Sequence, residues 1–273
     1  MKNNVSLILW IVGFIFLNLY SNAIPKLVQL DVVLWLGYAF GFFAVALLLG
    51  RYILNQRGLS SFGLEAQEGW FKLMSLGFVI GFSVWALKYL VFYGAGKFEI
   101  AGWNDKGYIL GMLAQALLGM LLAAAMNDVL IRGYWLAFCR KNDLMKWYIV
   151  LTTFLYAMDD SWNEGFDVIN LIFSAVLGIS LAYTVIKTGT IWMAIGIHWG
   201  SNMMFRAMAG FDGRGLWKLE QVKDGVMYEW ISILATALLF PVVYLLLRRR
   251  RETLSQQKGY GSPEQGHLIE KMN

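Results

Sequence analysis

The chain has 273 residues, 58% of them hydrophobic and 15% charged, and its mean hydropathy is +0.54. A soluble domain normally carries about 25% charged residues, so this composition excludes an ordinary cytosolic enzyme, a disordered protein and a nucleic-acid-binding module. One cysteine and two histidines exclude a disulfide scaffold and a zinc-finger-type site. The net charge of +5 then matters through its placement across a bilayer.

A helix crossing the hydrocarbon core needs about 20 mainly apolar residues. Residues 5–24, 32–50, 108–126 and 168–186 meet this without a formal charge, and residues 73–94 meet it with one interruption, Lys88. Residues 189–205 and 230–247 are slightly short but strongly apolar, and residues 147–158 form a short segment of only 12. The predicted fold class is all-α: a polytopic transmembrane bundle of about eight helices. It forms one membrane-embedded domain over residues 1–250, followed by a polar cytoplasmic tail over 251–273. Residues 55–70 suit a short interfacial helix.

Lysine and arginine set the orientation. Arg248 to Arg251 open the tail, and the loops on the same side hold Arg51, Arg57, Lys72, Arg132, Arg140, Lys141, Lys146 and Lys187. With Lys2, Lys258 and Lys271, fifteen of the 23 basic residues fall on that side, so both termini are expected in the cytoplasm. Residues 159–167 carry Asp159, Asp160, Glu164 and Asp167 without a base, as expected of an outer loop. Ser161, Asn163 and Gly165 add turn composition there. Cys139, beside Arg140, reads as a free cytoplasmic thiol.

Polar groups inside a membrane are expensive and mark function or helix contacts. Asp128 and Arg132 lie four apart on one helix face with the acid first, the better order for an ion pair. Asn127 points about 100° away. The pair suits either a structural ion pair at a helix end or a site. His198, Asn202 and Arg206 repeat every four residues, a polar stripe down one face. An amide one turn from an imidazole can orient it or donate to a developing oxyanion. It can equally glue helices together. Counted from the predicted span ends, Asn127 lies about 8 Å deep, His198 about 14 Å and Met158 about 17 Å. These depths fit one cavity open to the cytoplasm.

Three segments resemble the CPBP family of intramembrane proteases, also called the Abi or CAAX-protease family. Its pattern is Glu-Glu-x-x-x-Arg, then Phe-x-x-x-His, then His-x-x-x-Asn/Asp, each on its own helix. Here these read Asn127-Asp128-x-x-x-Arg132 followed by Gly133, Phe154-x-x-x-Met158, and His198-x-x-x-Asn202 preceded by Lys187-Thr188-Gly189-Thr190-Ile191-Trp192. The resemblance covers about residues 107–205. It implies an endopeptidase centre at Asn127, Asp128, Arg132, Met158, His198 and Asn202, in a bacterial plasma membrane. Two positions depart from the pattern: Asn127 replaces the Glu expected to activate water, and Met158 replaces a His. An amide is not a general base and a thioether does not relay protons. The same substitutions leave a poor ligand set for zinc or a hard metal, so no cofactor is expected.

The leading expectation is therefore a degenerate member that uses the family cavity to hold a hydrophobic peptide, a lipidated tail or a partner's transmembrane helix. Membrane lipids are the other expected partner and nucleic acid is not one. An active CAAX-type endopeptidase with a rearranged centre is the alternative, with Asp128 as base, His198 as its partner and Asn202 as oxyanion donor. A small transporter or channel, suggested by Lys88 and Arg206, is a further one.

Overall fold

A computed structural model describes residues 2–29 and 31–249. It holds eight helical rods: α1 (Lys2–Leu27), α2 (Val32–Ile53), α3 (Trp70–Gly94), α4 (Lys106–Lys141), α5 (Tyr148–Glu164), α6 (Val168–Thr188), α7 (Trp192–Ala209) and α8 (Val226–Leu247). Six of them (α1 to α4, α6 and α8) are long and apolar enough to cross a membrane. The all-α polytopic bundle is thus observed. The tail over 251–273 lies outside the described residues.

Aspartates start three of the rods by accepting from backbone N–H groups that lack a partner in the first turn. Asp31 accepts from Leu34, Asp105 from Gly107 and Tyr108, and Asp167 from Asn170. In α8 the helix loosens at Leu238, where Pro241 has no N–H to return to the carbonyl of Ala237.

Three expectations change. The polar run after Met126 does not end a span: α4 runs 36 residues, from Lys106 through the run to Lys141. At 1.5 Å per residue Asn127 lies about 21 Å from that end rather than 8 Å. The helix tolerates the run by widening into a π-turn at Val129–Gly133, a distortion that often accompanies functional sites. Residues 159–164 are not a solvated loop but the last turns of α5, which stops only at Gly165 with φ +96°. Residues 55–70 form turns with a single 3₁₀ turn at Gly58–Ser60 instead of an interfacial helix. That segment packs its Phe62 carbonyl against Gly133 of the π-turn. Cys139 is free, as expected, and it is fully buried.

A short antiparallel ribbon, β1 (Glu99–Trp103) with β2 (Trp217–Glu220), joins the α3–α4 and α7–α8 connections. It was not legible in the sequence. The closest helix contact is α3 on α7, where four glycines alternate. Gly77 and Gly81 face the backbone of Met193 to Ile197, while Gly196 and Gly200 face the carbonyls of Met74 and Phe78. Lipid tails are as apolar as the helices, so close backbone approach through small residues supplies the packing. This contact fixes the helix that carries His198 and Asn202.

Gly196→Val is expected to cost about 3 kcal/mol or more, because its Cβ would overlap the Met74 carbonyl. Gly94→Ala, whose Cβ meets open space, is the matched control. Thermal unfolding in detergent reads the difference.

Candidate active site

The site is organised on the π-turn of α4. Arg132 and Asp128 are both completely buried, and Arg132 Nη1 lies 3.1 Å from Asp128 Oδ1. The pair expected from the four-residue spacing therefore forms, but in the middle of a helix and away from water. Arg132 Nη1 also donates to Asn127 Oδ1 at 3.0 Å. The guanidinium carbon stands 4.1 Å from the centre of the Tyr156 ring of α5. The backbone carbonyl of Arg132 accepts from the Tyr148 hydroxyl at 3.1 Å. An uncompensated charge here is several kcal/mol unfavourable, and ion pairing, hydrogen bonding and a ring face together offset that.

Asp128 uses its second oxygen on another helix. Oδ2 lies 3.3 Å from Nδ1 of His198 on α7. A carboxylate only accepts, so the proton on this contact belongs to Nδ1, and Nε2 is left for the opposite side. The edge of Tyr156 packs against the imidazole at 6.2 Å between centroids, which fixes the ring from a second direction.

A cavity of about 290 Å³ adjoins these groups, lined by Ser21, Pro25, Trp35, Tyr38, Ala123, Met126, Asn127, His198 and Asn202. Its outer wall is the last turns of α1 and the first turns of α2. This is the end of the bundle opposite Arg51, Lys141 and Lys187, which close α2, α4 and α6. The expected opening towards the lysine- and arginine-rich side is therefore not observed. Tyr38 and Tyr20 stack beside it, and the Tyr38 hydroxyl donates to the Ser21 carbonyl at 2.6 Å, tying α1 to α2.

The six positions singled out in the sequence divide into three groups. Asn127, His198 and Asn202 line the cavity. Asp128 and Arg132 lie behind it, joined to His198 and Asn127. The Met158 side chain is 36% exposed and is not among the lining residues. Arg206, the third member of the stripe, lies outside the site and donates to the Gly210 carbonyl at the end of α7.

Asp159, read as a loop acid, is instead 8% exposed and joined to the site. Its Oδ1 accepts from Asn18 Nδ2 at 2.7 Å and Asn22 Nδ2 at 2.8 Å, both on α1. Its Oδ2 accepts from Asn127 Nδ2 at 3.3 Å. Its neighbour Asp160 turns the other way, to the Ser174 hydroxyl. One signal for this arrangement was present in the sequence. Asn18 and Asn22 are an i, i+4 amide pair within the mainly apolar first helix, and amides on a membrane helix seek hydrogen-bond partners on its neighbours. Among the described residues no group of three or more His, Cys, Asp or Glu side chains converges as a metal site would.

Residues 109–204 match the family described as Type II CAAX prenyl endopeptidase Rce1-like. The match spans all six positions from Asn127 to Asn202. No curated protein and no solved structure matches the chain. With six helices long and apolar enough to cross a membrane, the chain is an integral membrane protein whose residues 109–204 are similar to that family.

Arg132→Met should destabilise the protein by about 3–5 kcal/mol, because Asp128 then loses its guanidinium counter-charge and keeps only the contact with His198. Adding Asp128→Leu to Arg132→Met should restore part of that stability. Denaturation in mixed detergent measures both, and an undiminished loss in the double variant would contradict the pairing.

Proposed function

We propose that the protein is an intramembrane endopeptidase of the CAAX-protease type, which receives a hydrophobic or lipidated peptide in the cavity beneath the α1–α2 turn. The observation that carries this reading is the contact between buried Asp128 and His198 at the cavity wall. Arg132 supplies the counter-charge to Asp128, Asp128 accepts from Nδ1–H of His198, and Nε2 faces the cavity as a base. Asp128 itself is fully buried and so acts through His198.

The chemistry follows from these positions. His198 Nε2 takes a proton from a water molecule as its oxygen bonds to the scissile carbonyl carbon. The carbonyl π electrons move to oxygen, and the amide N–H of Asn202 donates to that oxyanion. His198 then returns the proton to the departing amine nitrogen as the C–N bond breaks. General base catalysis by a positioned imidazole is worth about 10²–10⁴ in rate. No cofactor is assigned in this scheme. The lysine and arginine distribution supports a proposed orientation with both termini in the cytoplasm, and a bacterial plasma membrane is the proposed location.

One observation favours a second reading. Asn127 occupies the place of the motif's water-activating Glu, and the Met158 side chain is off the cavity. In that reading the cavity binds the same peptide or a partner's transmembrane helix without cleaving it.

A panel of prenylated and unprenylated peptides incubated with the purified protein separates the two. Cleavage that falls about 10²–10⁴-fold in His198→Ala, with peptide affinity retained, is the expected result. Binding without cleavage decides for the second reading. Neither binding nor cleavage overturns both.

A further inference from the structure

The Asn127 side chain is held at both ends. Arg132 has donors only, so the oxygen of the Asn127 amide must face it, and Oδ1 accepts from Nη1 at 3.0 Å. Asp159 has acceptors only when ionised, so the amide nitrogen must face it, and Nδ2 donates to Oδ2 at 3.3 Å. An amide between a guanidinium and a carboxylate has one orientation. Its nitrogen carries two hydrogens and Asp159 takes one. The other is left at the cavity, which Asn127 lines.

Asp159 is itself fixed from outside the motif. The two α1 amides, Asn18 and Asn22, bond its Oδ1 at 2.7 and 2.8 Å. Asn163, one turn on in α5, donates to the Asn22 oxygen at 2.9 Å and to the Asp159 carbonyl at 3.0 Å. Amides satisfy the buried carboxylate without adding charge, so Oδ2 stays available for Asn127. The free Asn127 N–H and the Asn202 amide stand on different helices, with His198 on the same wall.

We infer that Asp159 is a positioning residue that holds the Asn127 amide as a second hydrogen-bond donor to the reacting carbonyl oxygen. The position that lost a base has on this account gained an oxyanion donor. The inference rests on the reading of this cavity as a peptide site, but not on turnover. A preorganised donor strengthens binding of a tetrahedral anion more than binding of the planar amide it comes from.

The test compares a prenylated hydrophobic peptide with its phosphinate isostere, which carries a tetrahedral anion at the scissile position, on the full-length protein. The wild type is expected to bind the phosphinate about tenfold more tightly than the peptide. Asn127→Leu and Asp159→Asn should each abolish that preference with peptide affinity changed less than about twofold, and the double variant should be no worse than either alone. Where the wild type cleaves, both variants should lose about 10²-fold in kcat with KM retained. Asp160→Asn, which removes the neighbouring carboxylate, should keep the preference.

A merely structural Asp159 predicts something different: peptide and phosphinate binding fall together, and the effect adds to that of Asn127→Leu. That result overturns the inference, as does an Asp159→Asn protein with full preference or a wild type with none. If Asp159→Asn does not fold, Asn22→Leu removes one of the two α1 bonds and should weaken the preference in the same direction. An unchanged preference there also overturns it. Preference without cleavage removes the endopeptidase reading and leaves this inference standing.

Discussion

A guanidinium sealed inside a membrane bundle is the constraint around which the site is built. Arg132 is completely buried, and three neighbours meet its charge: Asp128 as counter-charge, Asn127 as acceptor to Nη1, and the Tyr156 face as a cation–π partner, while Nε and Nη2 have no hydrogen-bond partner. Each of these partners then has a free side, and each free side organises another helix. Asp128 reaches His198 on α7, and Asn127 reaches Asp159 on α5 and, through it, Asn18 and Asn22 on α1. Four helices are thus gathered around one π-turn by a chain of charge-assisted hydrogen bonds, which are stronger than neutral ones and stronger again away from water.

The network also explains why the site contains so many amides. Two carboxyl groups and one guanidinium, those of Asp128, Asp159 and Arg132, are already buried in the region. A further cation would need its own counter-ion, whereas Asn18, Asn22 and Asn127 stabilise Asp159 with dipoles alone. The same economy of charge lets α1 be largely apolar on its outer face, where Ile8, Val12, Phe16 and Leu19 are exposed, while its inner face carries two amides. Rigidity of the other wall has a different source. On α3 and α7 the glycine contacts bring backbone against backbone, so the helix presenting His198 and Asn202 has little freedom to translate.

Much of this was legible because its signals are local. Apolar runs of membrane length marked the rods. The four-residue spacings of Asp128 with Arg132 and of His198 with Asn202 placed each pair on one face, and the structure uses both faces inward. The failures are those of context. The run from Asn127 to Arg132 lowers the local hydropathy and so reads as a helix end. It remains helical because Phe62, seventy residues earlier, packs on Gly133 and because α5 and α7 supply its polar partners. Asp159 reads as a loop acid because its neighbours are turn-formers, and its true partners lie more than 130 residues away on α1. Placement of the cavity beneath the α1–α2 turn likewise depends on how α1 docks, which no spacing within the motifs contains.

The account stands on one proton. Asp128, anchored by Arg132, is held to accept from Nδ1–H of His198 and so to turn Nε2 towards the cavity. The sequence has only two histidines, so ¹⁵N-histidine labelling of the full-length protein, with His267→Gln to assign the signals, observes His198 directly by NMR. The account predicts the Nδ1–H tautomer near neutral pH and its loss in Asp128→Asn. An Nε2–H tautomer in the wild type, or a spectrum unchanged by Asp128→Asn, would contradict it.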